Sequence, residues 1–181
     1  MKYDHLIKEE VEVDEVGVTR THGRGERRED FADAWKNTGR VVLVGLPGSG
    51  KAALARLLAD RLGIGAVTPE DAESAVAALD GPAAVIVLAD ELVADPAVQP
   101  HVHGAGKVFY LMADSRTLAA RVVERDGGGD QDGVWRDLSA RLAVMEPVFY
   151  GVLHFILQAG NLPEEMSLEE MAEDALAKIA L

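Results

Sequence analysis

The sequence predicts an α/β protein in which a central parallel sheet is flanked by helices on both faces, and three observations carry that prediction. Short apolar runs rich in β-branched residues alternate with segments of helical apolar spacing along most of the chain. The runs lack polar alternation, as strands covered on both faces require. One of them leads through a glycine-rich turn straight into a helix, which is the context of a phosphate-binding loop.

Composition bounds the answer. With 181 residues, 48% of them hydrophobic and 27% charged, the chain is long enough for one globular domain with a sizeable core. The formal net charge of −13 would repel a polyanionic backbone, so nucleic acid is not expected as a partner. A bound nucleotide remains compatible, because a phosphate loop uses local N–H groups, a helix N-terminus and one lysine rather than global charge. No apolar run reaches the roughly 18 residues of a spanning helix, and the first residues lack a signal-peptide layout, so a cytoplasmic protein without a membrane partner is expected. Cysteine is absent, which excludes disulfides and thiolate catalysis.

The elements follow in order. Residues 1–38 form an N-terminal extension, in which Val11 and Val13 alternate with acids as in an edge strand. Phe31, Ala34 and Trp35 have the spacing of a short helix face, and Arg24, Arg27 and Arg28 make a basic run. The domain spans 39–181. A strand over 41–44 is followed by a helix over 52–62 that Gly63 ends as a C-cap. Thr68 and Pro69 predict a second helix over 69–79, with Pro69 at its first position. Strands are predicted at 83–88 and 107–112, and Asp114 caps a helix over 115–124. The glycine-rich DGGGDQDG of 126–133 reads as a surface loop. A helix over 135–145 is broken by Pro147, a fourth strand covers 153–157, and an amphipathic helix over 168–179 closes the chain.

The chemistry lies in the loop Gly45-Leu46-Pro47-Gly48-Ser49-Gly50-Lys51, followed by Ala52 and Ala53. Its glycines let backbone approach a phosphate, the following helix presents its positive end, and Lys51 adds a point charge. The departure is Ala52, where such loops carry a Ser or Thr hydroxyl that ligates Mg²⁺. Mg²⁺ binding is therefore expected to be weakened, with water taking the vacant position. Asp90 and Glu91 stand just past the strand at 83–88, at the sheet edge where ligands collect. They are candidates to hold metal or orient a substrate, or else they begin a loop or cap the next helix. His101 and His103 read as a solvated loop rather than a metal pair, since no third ligand shows by spacing.

Three segments, in order and spacing, resemble shikimate kinase, a small P-loop kinase: GLPGSGKAALARLLADRLG, KVFYLMADSRTLAARVVER and MEPVFYGVLHFIL. The resemblance runs from about residue 40 to 179. It implies a three-layer P-loop NTPase-type fold, ATP on the loop and a lid from the region 125–136. Arg116, Arg121, Arg125 and Arg136 are then the candidates for phosphate or adenine contacts, with Arg125 preferred. The acceptor side departs from the family. Its Asp-rich segment corresponds to residues 66–71, its glycine triplet to Ala89-Asp90-Glu91, its carboxylate-binding Arg to Met145, and its following Tyr to Phe149. An anionic acceptor favours a bidentate Arg, so the acceptor is expected to be a small molecule other than shikimate. Two functions remain open: phosphoryl transfer from ATP to a hydroxyl, or a nucleotide-binding module with little turnover. Lys51, Asp90 and Arg125 are the candidate catalytic residues of the first.

Overall fold

The computed structural model describes residues 10–15, 18–22, 37–160 and 167–181, and the chain divides into two compact units, Met1–Ala34 and Trp35–Leu181. In the first unit the expected single strand is half of a hairpin: β1 (Glu10–Glu15) pairs antiparallel with β2 (Val18–His22). The helix expected around Phe31 and Trp35 and the arginines at 24, 27 and 28 lie outside the described residues.

The second unit runs β3 (Val41–Val44), α1 (Lys51–Leu62), β4 (Gly65–Val67), α2 (Ala72–Asp80) and β5 (Ala84–Val87). It continues α3 (Asp90–Ala94), α4 (Gln99–Ala105), β6 (Lys107–Ala113), α5 (Ser115–Arg125), α6 (Gln131–Val152), β7 (Phe155–Gly160) and α7 (Leu168–Ile179). The five strands β3 to β7 form one parallel sheet in the order β4-β5-β3-β6-β7. All four residues of β3 and all four of β5 are buried, as their unbroken apolar character requires. Leu54 and Leu58 of α1, Leu79 of α2, Phe149 of α6 and Ala172 of α7 are fully inaccessible against this sheet. Each of the leucines and Phe149 contributes about 1.5–3 kcal/mol relative to exposure.

Several boundaries differ from expectation, each for a local reason. Helix α2 starts at Ala72 rather than Pro69, because Asp71 and not Thr68 is its cap. The Asp71 carboxylate accepts from the Ser74 amide at 2.8 Å while the Asp71 amide donates to the Ser74 hydroxyl, a reciprocal capping box. Pro147 does not break α6, which continues to Val152. Proline removes one helical hydrogen bond, but Met145, Phe149 and Val152 are all buried on one face and hold the helix to the core. Only the first part of the glycine-rich stretch is a turn, with Gly127, Gly128 and Gly129 at positive φ. Asp130 then caps α6, accepting from the Gly133 amide at 3.1 Å. The fourth strand lies at 155–160 rather than 153–157. Two short helices, α3 and α4, replace the loop expected around the two histidines, and the exposed three-residue β4 carried no legible signal.

Candidate nucleotide site

The loop between β3 and α1 is shaped by three glycines in conformations other residues avoid. Gly45, Gly48 and Gly50 have φ of 145°, 86° and 87°. A Cβ on Gly45 would lie 2.9 Å from the Leu111 carbonyl oxygen, and one on Gly48 would lie 2.7 Å from that of Leu118. Two of the three are thus required by close backbone approach as well as by φ. The turn closes with the Ser49 amide donating to the Leu46 carbonyl at 3.3 Å and the Leu54 amide to the Gly50 carbonyl at 3.0 Å.

Helix α1 begins at Gly50 with no side-chain cap and no acid in its first turn. Helices α2, α5, α6 and α7 have a side-chain cap, with Asp71, Asp114, Asp130 and Ser167 accepting hydrogen bonds from first-turn amides, whereas the short α3 and α4, like α1, have none. The N-terminal amides of α1 are therefore left for an anion, with the helix dipole aligned to favour it. Lys51 folds back over the loop, its Nζ donating to the carbonyls of Gly45 and, at 3.1 Å, Leu46. Burial lowers its pKa from 10.5 to about 8, opposed by the nearby Asp90 and Glu91 carboxylates. The Ser49 hydroxyl is buried in the same loop with no hydrogen-bond partner among the described residues. A cavity of about 370 Å³ lies over the loop, bounded by residues 46–53 with Val87, Arg121 and Arg125.

The four candidate arginines separate clearly. Arg121 on α5 donates to the Gly48 carbonyl at 3.2 Å and so lies on the loop itself. Arg125, one turn later, is exposed and paired with its neighbour Asp126 at 2.7 Å, at the cavity's margin. Arg116 stacks on the Trp135 ring, 5.1 Å from its centroid, and Arg136 donates to the Asp132 carbonyl. Their positions in the sequence distinguish none of them; their contacts in the fold do.

Just past β5, Asp90 opens α3 and is 2% exposed, with Glu91 next to it in the helix. Arg141 of α6 holds both, its Nε donating to Asp90 and its Nη2 to Glu91. Sequence reading placed the two acids here but missed Arg141, which lies 51 residues from Asp90 in the chain. Glu91's own backbone amide and then the guanidinium lower its pKa. Burial opposes the charge on Arg141, but the hydrogen bonds to both carboxylates hold its pKa above the usual value.

These residues fit nucleotide phosphate and do not fit a protein-ligated Mg²⁺. The loop supplies glycine clearance, uncapped amides and a cation. Ala52 and Ala53 offer no oxygen ligand, Asp90 and Glu91 are engaged by Arg141, and Asp71 is engaged as a helix cap. Among the described residues no group of three or more His, Asp or Glu side chains could hold a metal. His101 instead faces Asp80 at 3.3 Å, while His103 contacts the Val152 carbonyl and stacks 4.3 Å from His154. Met145 and Phe149, which the sequence resemblance sets at the acceptor side, are core: Met145 is 6% exposed, and Phe149 packs 4.9 Å from Tyr110.

A five-stranded parallel sheet with this loop at the end of its central strand defines the kinase-like P-loop nucleotide-binding fold. Among solved structures, the chain is similar to shikimate kinase from Bacteroides thetaiotaomicron, with a TM-score of 0.67, 15% identity, and 78% of this chain and 98% of that one covered. Shikimate kinase from Acinetobacter baumannii, solved with shikimate, gives a TM-score of 0.62 at 17% identity, covering 78% and 92%. A gluconokinase from Sinorhizobium meliloti 1021 gives 0.60 at 17% identity, covering 80% and 93%. At these identities the likeness is one of fold. No protein-family description matches the sequence, and no curated protein does. Among the described residues no helix is long and apolar enough to cross a membrane.

Proposed function

We propose that the protein binds ATP, with the phosphates on residues 45–51, and transfers the γ-phosphoryl group to a hydroxyl of a small molecule other than shikimate. The observation that carries the nucleotide half is the glycine loop at the uncapped N-terminus of α1, where Lys51 folds over the loop and the buried Ser49 hydroxyl has no partner among the described residues. In this reading Lys51 turns from the carbonyls of Gly45 and Leu46 to the phosphate oxygens, and Arg121 meets the triphosphate from α5. Transfer forms the bond from acceptor oxygen to phosphorus as the bond from phosphorus to the β,γ-bridging oxygen breaks; ADP leaves with that oxygen and the hydroxyl proton is released to solvent. Catalysis is by positioning and charge stabilisation. Asp90 and Glu91, which act electrostatically on Lys51, are the groups in place to orient the acceptor hydroxyl.

Support for an acceptor other than shikimate is the burial of Met145 and Phe149 in the core. An acceptor carboxylate would find no free arginine there, since Arg141 is already engaged by two acids. That same engagement favours a second reading, a nucleotide-binding module with little turnover, because it occupies the carboxylates an active centre would use.

Calorimetric titration of ATP and ADP into the full chain, beside Lys51→Ala, tests the first step. The substitution removes a charged hydrogen-bond donor worth about 1.5–3 kcal/mol, so affinity should fall roughly 10- to 150-fold while circular dichroism stays unchanged. Equal affinity in the two proteins would remove the loop from the site. ADP formation that rises on addition of polyols, and not of shikimate, would support transfer; binding without any ADP formation would support the module.

A further inference from the structure

We infer that the Arg141 guanidinium occupies the place of a divalent cation in this site, so that nucleotide binding here does not require Mg²⁺. The inference rests on the nucleotide reading above for its second half, and on the side-chain cluster alone for its first.

A cation at this corner would need oxygen ligands from the loop helix and from the end of β5. The loop helix offers Ala52, which has none. The end of β5 offers Asp90 and Glu91, and Arg141 bridges them by separate nitrogens, Nε to Asp90 and Nη2 to Glu91. The fork geometry of guanidinium suits two carboxylates in this way, and it is always charged. The Asp90 side chain is 4% exposed, so its charge requires a resident partner whether or not ligand is present. A metal entering would have to expel Arg141 and leave that guanidinium without its two partners.

The charge balance points the same way. Lys51 senses Asp90, Glu91 and Arg141 together, which places all four groups in one electrostatic neighbourhood. Two cations against two anions leave no net negative charge to attract a divalent ion, whereas metal sites concentrate uncompensated oxygen ligands. Arg141 is also firmly based: it lies one helical turn before Met145, which is buried in the core with Phe149 on the same stretch of α6. The cation is therefore built into the fold rather than recruited from solution.

Two measurements decide it. The first is Mn²⁺ titration followed by electron paramagnetic resonance, on the full chain without nucleotide. The wild type should take up no Mn²⁺ at sub-millimolar concentration. Arg141→Gln, which keeps amide donors but frees both charges, should gain one site, and adding Asp90→Asn should abolish it. Uptake of one equivalent by the wild type, or none by a folded Arg141→Gln, would overturn the assignment. The second needs no substitution, and so stands even if Arg141→Gln does not fold: ATP titrated into the wild type with Mg²⁺ or with EDTA. Affinities within about threefold are expected, and a greater tightening with Mg²⁺ would overturn metal independence. Absence of ATP binding under both conditions would sink the nucleotide reading and, with it, the claim of metal-independent binding; the Mn²⁺ measurement would still judge Arg141.

Discussion

Two corners of the same sheet edge, the end of β3 and the end of β5, follow different rules. At β3 the site is made of backbone: three glycines at positive φ, uncapped helix amides, and carbonyls that hold Lys51 in place. At β5 it is made of side chains: a buried aspartate, a glutamate and an arginine from a distant helix. Backbone geometry tolerates little substitution at Gly45 and Gly48, where an added Cβ would strike a backbone carbonyl oxygen. A side-chain corner can be rewritten by exchanging residues while the sheet beneath is unchanged. The likeness to kinases of known structure is one of fold, at 15–17% identity.

The sharpest way to break this contrast is Gly48→Ala. The alanine would meet the Leu118 carbonyl oxygen at 2.7 Å with φ at +86°, a loss of roughly 2–5 kcal/mol from left-handed backbone and overpacking together. Gly50→Ala, at φ +87° but facing open space, should cost only about 1–2 kcal/mol. Denaturant unfolding of both reads the difference, and equal losses would mean that the contact with α5 does not shape the loop.

Next in size is Arg121→Ala, which removes the cation nearest Gly48. ATP affinity should fall about tenfold or more, the effect of one charge-assisted contact to phosphate. Calorimetry at fixed ionic strength measures it, and an unchanged affinity would place the triphosphate elsewhere.

The pH dependence follows from Lys51. Its pKa of about 8 in the free protein lies below the 10.5 of an unfolded chain, because burial disfavours the charge. Bound phosphate favours the ammonium form, so affinity should be flat below pH 8 and fall above it, approaching tenfold per unit, with proton uptake on binding. For the free protein the sign is opposite: this group's destabilising effect is present below pH 8 and is relieved as pH rises from about 8 to 10.5. Titrations in two buffers of different ionisation enthalpy at pH 8.5 count the protons, and none taken up would exclude Lys51 from the phosphate.

The smallest effect is expected for Arg125→Ala. Its side chain is exposed and paired only with adjacent Asp126, so ATP affinity should change by less than about twofold. A loss matching that of Arg121→Ala would restore Arg125 as the main phosphate contact from α5.

What the sequence determined by itself was whatever depends on neighbours in the chain. The strand, loop and helix from Val41 to Leu62, the cap at Asp114 and the closing helix α7 were legible because glycine clearance, apolar periodicity and capping are local properties. The rest was decided by contacts between distant segments. Pro147 sits within a helix because Met145, Phe149 and Val152 are held by the core. Arg121 reaches the loop and Arg125 does not because of how α5 crosses it. The pairing of Asp90 and Glu91 with Arg141 spans 51 and 50 residues. No local pattern encodes such a pair, since the sequence marks Asp90 and Glu91 as candidates at the sheet edge but gives no sign of their partner; only the packing of α6 against α3 brings them together and buries Asp90.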